Sequence, residues 1–391
     1  MWFLEGGEKT IAGARVPVPV TADEAHMLRA IELAERGRGR TGPNPLVGAV
    51  VVTAGEVMGE GFHEVVGGPH AEVNALEDAG DGAGGSTMYV TLEPCSHFGR
   101  TPPCTEAIIA AGVSMVVMAT RDPNPDVAGG GRDVLEAKGV ETSQGPYSEL
   151  ARRQNEAYLK WVTTGLPFVT LKMALTFDGK TATRVGDSRW VTSDESRRDV
   201  HLMRSWSDAV AVGIGTVLAD DPRLTVRMVE VGAKPPLRVV VDGEAATPPS
   251  SRVADTTDAP TLVAVSATAH AERVKALEGR GVEVARMGEA GRVDLRALLE
   301  ALGSRGVASL MVEGGAELAY SFLEEYLIDR FIFYFAPKIV GGGEAPGAVG
   351  GEGLARIRDA WKLEFDSVAE SGGDIKVIAY PGSGGRGCSR E

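Results

Sequence analysis

Short unbroken apolar runs alternate with stretches in which every third or fourth position is apolar, and this rhythm predicts strands alternating with amphipathic helices from residue 22 almost to the end. Thr21 and Glu24 set up a capping box for a helix over 22–37, whose Met27, Ala30, Ile31 and Ala34 share one face. LVGAVVV and EVMGEGFH then predict two strands. A helix follows with Ala71, Ala75, Leu76 and Ala79 as its buried stripe, then a strand at MYVTLE and a helix at TEAIIAAG that Gly112 can cap. VSMVVMAT reads as a strand, RDPNPDVAGGG as a loop and RDVLEAKG as a short helix. PYSELARRQNEAYLKWVTTG predicts one connecting helix, stopped by Gly165 and Pro167.

The second half continues in the same way. Strands are expected at FVTLKMALT, DAVAVGIGT, LRVVVDG, TLVAVS, VEVARM, VASLMVEGG, RFIFYFAPKIVGGG and IKVIAY, the last two able to pair antiparallel. Helices are expected after a capping box at Thr192 and Glu195, and at AERVKALEGRG, LRALLEALGSRG and AELAYSFLEE. The alternation predicts an α/β protein with a three-layer domain over 21–145, a connector over 146–166 and a second α/β domain over 167–381. Residues 1–20, ending in Val-Pro-Val-Pro-Val, carry neither periodicity and read as a loose extension, and 382–391 as a flexible tail. No internal repeat relates the halves.

Composition narrows the function. The 391 residues suit two cores, and 43% hydrophobic content is enough to fill them. Lys and Arg total 40 against 54 acidic residues, and the net charge of −14 argues against a broad polyanion surface, so no nucleic-acid partner is expected. No apolar run is long enough to span a membrane, and Glu5 with its neighbouring glycines interrupts any leader core, which points to a cytoplasmic protein. Three cysteines, one of them Cys388 in the tail, suit a reducing compartment without a disulfide framework.

The chemistry concentrates between Gly61 and Cys104. His70, Cys95 and Cys104 offer three soft donors, one fewer than a tetrahedral zinc takes, and the open place is where a catalytic site holds water. Glu72, two residues from His70, can face that water as a proton shuttle. His-x-Glu followed by Pro-Cys is the constellation of zinc deaminases, although SHFGRTPP separates the cysteines here where the short form has two residues. Asn44, between two prolines, can donate to and accept from a pyrimidine edge; Pro-Asn-Pro is also ordinary turn chemistry. Further on, GIGTVL has Leu218 where a dinucleotide fingerprint needs its third glycine. Glu313-Gly314-Gly315 leads straight into a helix, and its glycines suit a pyrophosphate or close packing equally well.

TGPNPLVGAVV, HAEVNAL, EPCSHFGRTPPC, LKMALTFDGK, GIGTVLADDPRLTVR and VEGGAEL together resemble the bifunctional riboflavin-biosynthesis deaminase–reductases over about residues 22–380. The resemblance implies a cytidine-deaminase-like first domain and a dihydrofolate-reductase-like second one. It implies Zn2+ on His70, Cys95 and Cys104, with Glu72 as proton donor and acceptor, and a deaminase pocket of Asn44, His63, His97 and Arg100. Arg100 stands where relatives commonly have lysine. In the reductase half it implies substrate contacts from Lys172, Ser188, Arg204, Leu224, Arg227 and Glu313, with the two arginines on a phosphate. NADPH would lie on Ala174, Trp190, Thr216, Asp220 and Gly315. A small-molecule substrate and a homo-oligomer are expected. Competing readings are a deaminase of a free base or transfer RNA, against which the acidic balance and cysteine spacing weigh, and a zinc-stabilised ligand sensor without turnover.

Overall fold

The computed structural model describes residues 4–5, 8–11, 14–15, 21–98, 102–124, 130–229 and 234–382. Arg100 and Cys388 therefore lie outside the described residues. The chain divides into two compact units, 1–166 and 167–391. No helix among the described residues is long and apolar enough to cross a membrane.

The first residues are not without regular structure, as their sequence suggested. Leu4–Glu5 (β1), Glu8–Ile11 (β2) and Ala14–Arg15 (β3) pair into a small antiparallel sheet. Strands this short are below the length at which a two-residue period can be recognised.

The main sheet of the first unit has the order β5-β4-β6-β7-β8, built from β4 (Gly48–Thr53), β5 (Glu56–Phe62), β6 (Thr87–Val90), β7 (Met115–Met118) and β8 (Glu141–Gln144). The first three strands run antiparallel and β6, β7 and β8 parallel. Helix α1 (Ala22–Glu35) has both arms of its capping box in place at Thr21 and Glu24. Neighbouring strand residues face opposite layers. Ala49, Val51, Met88, Val90, Val116 and Met118 pack with α2 (Ala71–Ala79), α3 (Cys104–Ala110) and α4 (Gly130–Ala137). Val50, Val52, Tyr89 and Val117 pack with α1 and with Leu150 and Ala151. Burial on both faces is why these strands read as continuous apolar runs. β8, with its pattern ETSQ, escapes that reading because none of its residues is buried. A Cβ on Gly59 or Gly61 would run into the α2 backbone at Ala75, so these glycines let α2 lie directly on β5 and bring its first turn to the sheet end.

The single connecting helix expected over 146–165 is two, α5 (Ser148–Gln154) and α6 (Glu156–Thr164), broken at Asn155 with φ −109° and ψ 16°. A distant partner causes the break: Asn155 Oδ1 accepts from the Leu46 amide at 2.7 Å and its Nδ2 donates to the Leu46 carbonyl at 2.8 Å. This pair anchors the chain just beyond Asn44. Asn155→Ala leaves two buried backbone groups unpaired and is expected to destabilise the first unit by about 2–4 kcal/mol. Denaturant unfolding of residues 1–166 within the whole protein checks this, and a loss below about 0.5 kcal/mol would contradict it.

The second unit carries a nine-stranded sheet in the order β13-β12-β11-β10-β14-β9-β15-β17-β16. Its elements are β9 (Phe168–Thr176), α7 (Asp194–Trp206), β10 (Ala209–Gly213), α8 (Ile214–Asp220), β11 (Leu237–Val241), β12 (Thr261–Val265), α9 (Ala271–Glu278) and β13 (Glu283–Arg286). Then come α10 (Leu295–Gly303), β14 (Ser309–Val312), α11 (Ala316–Glu324), β15 (Arg330–Ala336), β16 (Leu363–Ser371) and β17 (Asp374–Pro381). Strands from β13 through β15 are parallel, and β17 and β16 add antiparallel at one edge, so β15 and β17 pair as expected. β16 was not anticipated, because its mostly exposed residues show no buried period. The cap of α7 is Ser193, not Thr192: Ser193 Oγ accepts from the Ser196 amide at 3.1 Å. The Ser193 amide goes to Asp374 Oδ2 at 2.7 Å, a partner from β17 doing the work expected of Glu195.

Candidate functional sites

In the first unit, α2 and α3 both begin at the carboxyl end of the parallel strands. His70 is the N-cap of α2 and Cys104 the first residue of α3, while Cys95 lies on the segment after β6. Among the described residues these three form the one cluster able to hold a metal, with donor atoms within 4.8 Å of one another. His70 Nδ1 is 3.1 Å from Cys104 Sγ and 3.6 Å from Cys95 Sγ. Zinc with Zn–S of about 2.3 Å and Zn–N of about 2.0–2.1 Å in tetrahedral geometry spaces N and S by about 3.6 Å. The donors therefore fit zinc, one spacing matching and the other short by a shift that side-chain rotation supplies. The Cys104 amide points at Cys95 Sγ from 3.4 Å, a hydrogen bond that favours thiolate there. Hydrogen bonding from Cys104 and His70 overcomes burial and draws Cys95 down to about 4, while that same bond and burial push Cys104 up. Both cysteines are free of disulfides.

Glu72 sits in the first turn of α2, 3% exposed. Burial, then the Cys95 thiolate, push it up to about 7, with His70 opposing. His63 is buried, its ring edge-on to His70 with centroids 5.4 Å apart. Its Nδ1 lies 3.0 Å from the Pro69 carbonyl, so Nδ1 carries the proton, and Nε2 accepts from Asn44 Nδ2 at 3.1 Å. Burial lowers the His63 pKa, in keeping with a neutral ring. Asn44, His63, His70 and Glu72 thus gather at one end of the sheet. His97 is exposed.

The second site forms where β9 and β14 lie side by side. Their register pairs Leu171 with Val312, which puts Lys172 beside Glu313. Lys172 Nζ is 3.9 Å from Glu313 Oε2. Arg204, from α7, grips the same carboxylate with two nitrogens, Nη2 to Oε2 at 2.8 Å and Nε to Oε1. Burial pushes Glu313 up, but the Arg204 charge and hydrogen bonds, with Lys172, hold it below the usual range. Lys172 is drawn down by burial, against Glu313 and with Arg204. Ser188 Oγ donates to Asp220 Oδ1 at 3.3 Å, and Thr216 Oγ1 accepts from the Gly315 amide at 3.1 Å, tying the first turn of α8 to the start of α11. Gly314 has φ 97°, a conformation that demands glycine between strand and helix. Trp190 is 62% exposed, its ring 4.4 Å from the Arg197 guanidinium carbon.

Residues 167–377 match the family described as the RibD C-terminal domain, and residues 20–120 match the cytidine and deoxycytidylate deaminase zinc-binding region, a stretch that contains all three metal donors. A riboflavin biosynthesis protein RibD from Bacillus amyloliquefaciens is 42% identical over 362 residues, covering 93% of this chain and 97% of the relative. The chain belongs to the RibD family. Among solved RibD structures, one from Acinetobacter baumannii has a TM-score of 0.84 at 38% identity, covering 93% of this chain and 99% of its own. Another, from Thermotoga maritima and described as a diaminohydroxyphosphoribosylaminopyrimidine deaminase/5-amino-6-(5-phosphoribosylamino)uracil reductase, has a TM-score of 0.81 at 38% identity, covering 92% and 99%. As a RibD chain, its first unit is the cytidine-deaminase-like zinc domain and its second the dihydrofolate-reductase-like one.

Two of the expected substrate contacts of this RibD chain are engaged within the fold itself. The Arg204 fork is held by Glu313 and, through Nη1 at 3.1 Å, by the Thr225 carbonyl. Leu224 is 3% exposed, its side chain part of the core. Two further groups escaped notice. Tyr158 of α6 donates to Asp122 Oδ2 at 2.9 Å, close enough to the metal donors to sense Cys95. His201, 6% exposed, lies within the Lys172, Arg204, Arg227 and Glu313 charges. Its position one turn before Arg204 was the only signal available.

Proposed function

We propose that this chain carries out two successive steps on the pyrimidine intermediates of riboflavin biosynthesis. At the first site, in the domain over 21–145, the 2-amino group of the phosphoribosylated diaminopyrimidinone is removed by hydrolysis. At the second, over 167–381, the ribosyl group of the resulting aminouracil is reduced to ribityl with NADPH. The observation that carries the reading is a buried carboxylate, Glu72, set beside a three-donor metal site with a place left open.

When bound, zinc supplies Lewis acidity toward water. The rest falls to the protein. Glu72 takes the proton that the attacking water gives up and delivers it to the departing nitrogen. Asn44, with Nδ2 engaged by His63, presents Oδ1 to a pyrimidine N–H. His97 and Arg100 complete the pocket in this reading. In the second unit NADPH would supply hydride, and Ala174, Trp190, Thr216, Asp220 and Gly315 would hold it, with the glycine backbone at the start of α11 suited to its phosphates. Lys172, kept in place by Glu313, polarises the ribose oxygen at the carbon being reduced, with Ser188 and the Leu224 backbone against the substrate. Arg227, which is exposed, and Arg204, held beside Glu313, take the phosphate. A cytoplasmic homo-oligomer is the assembly we infer, supported by Phe365 and Val368 of the edge strand β16, 75% and 62% exposed; light scattering that finds a monomer would reject it.

The test is one reaction containing the diaminopyrimidinone ribosyl phosphate and NADPH, followed for ammonia and for loss of reduced nicotinamide. Both should change in proportion. A chelator is expected to stop ammonia release while the deaminated substrate still oxidises NADPH. Ammonia without NADPH loss would reject the second assignment, and neither would reject the substrate class.

A further inference from the structure

His201 is a buried imidazole that no step above uses. Its Nδ1 lies 3.1 Å from the backbone nitrogen of Arg227. An amide N–H donates, so Nδ1 is bare and the ring neutral. The surroundings agree: burial first, then the Arg204 and Arg227 charges, with Lys172, pull the His201 pKa down to about 4 against Glu313. Three residues along the same helix, Arg204 Nη1 donates to the Thr225 carbonyl at 3.1 Å. Positions three apart share a helix face. One face of α7 therefore holds the segment 225–227 at two points, by one acceptor and one donor. The segment follows Leu224, a non-glycine residue at φ 52° with its side chain in the core. Such a backbone persists only where its surroundings impose it. At the segment's far end Arg227 is exposed.

We propose that His201 is a positioning residue of the second site, fixing the backbone of Arg227 so that its guanidinium is aimed at the phosphate of the reductase substrate. This rests on the phosphate role given to Arg227 above. Imidazole suits the task because it accepts without bearing charge. A carboxylate would accept as well, but would draw the guanidiniums of Arg204 and Arg227 onto itself.

The test combines reductase kinetics with amide exchange on the full-length enzyme. For His201→Leu, the KM for the phosphorylated aminouracil and the inhibition constant of inorganic phosphate should each rise about 10-fold, the equivalent of one neutral hydrogen bond. The kcat and the KM for NADPH should stay within about twofold, as expected for lost uniform binding. His201→Asn places its Oδ1 where Nδ1 was and should restore KM to within about threefold. If the leucine variant does not fold, His201→Gln, whose oxygen reaches only the Nε2 position, replaces it. A fall in kcat at constant KM, or an asparagine variant as impaired as leucine, overturns the proposal. With Arg227→Ala, His201→Leu should have no further effect on KM, and additive effects also overturn it. Should Arg227→Ala itself leave KM unchanged, the phosphate reading fails, and with it the proposal's functional half. The clamp is read separately, as exchange of the Arg227 amide, which should be faster in the leucine variant and protected in the asparagine one; unchanged exchange removes the clamp.

Discussion

Glu72→Gln is expected to lower ammonia release by about 10²–10⁴-fold, the range for losing a positioned proton carrier. Glutamine keeps the size and hydrogen-bonding reach of the side chain, so the first turn of α2 and the three donors should remain as they are. Zinc content should match the parent, and NADPH oxidation with deaminated substrate should be unaffected, because Glu72 and Lys172 belong to separate compact units. The environment explains why this carboxylate suits the task. It is 3% exposed, and burial with the Cys95 thiolate moves it toward neutrality, where a group gives and takes a proton with similar ease. Zinc content is measured on the same preparation as ammonia. An active glutamine variant with full zinc would remove Glu72 from the mechanism, and an inactive one lacking zinc would show that the substitution had damaged the metal site instead.

Lys172→Ala should do the converse, lowering NADPH oxidation by about 10²–10³-fold through loss of the buried cation that the proposed function sets against the reacting oxygen. Ammonia release should be unchanged. The second unit should survive the substitution, because Glu313 keeps its bidentate bond to Arg204 and is not left as an unpaired buried charge. Lys172→Arg should not restore activity. A planar fork beside Glu313 would engage the carboxylate with two nitrogens where a single ammonium now lies 3.9 Å from it. Both variants are followed by absorbance of the reduced nicotinamide with deaminated substrate supplied. Normal oxidation by the alanine variant would leave Lys172 a purely structural partner of Glu313.

Much of the zinc site could be read from the chain because its parts are local. His70 and Glu72 are two residues apart at one helix start, and Cys104 begins the next helix, so backbone geometry alone brings them to one end of the sheet. The α/β alternation was legible for a similar reason: strands buried on both faces and helices buried on one leave different periods in the sequence. The chain could name Asn44 and His63, yet it could not reveal that they bond each other or which His63 nitrogen carries the proton. That depends on the Pro69 carbonyl, brought near by the turn between β5 and α2.

The reductase site lies at the other extreme. Lys172, Arg204 and Glu313 come from β9, α7 and the end of β14, and they meet because β14 inserts between β10 and β9. No spacing along the chain encodes the grip of Arg204 on Glu313, 109 residues away. The same holds for the helix break at Asn155, the α7 cap completed by Asp374, and the hold of His201 on Arg227. The sequence by itself determined family, layer order and the metal donors, because these follow from patterns a few residues long. Tertiary structure alone decided which buried polar groups pair, since a partner for a desolvated charge or amide is chosen by proximity in space.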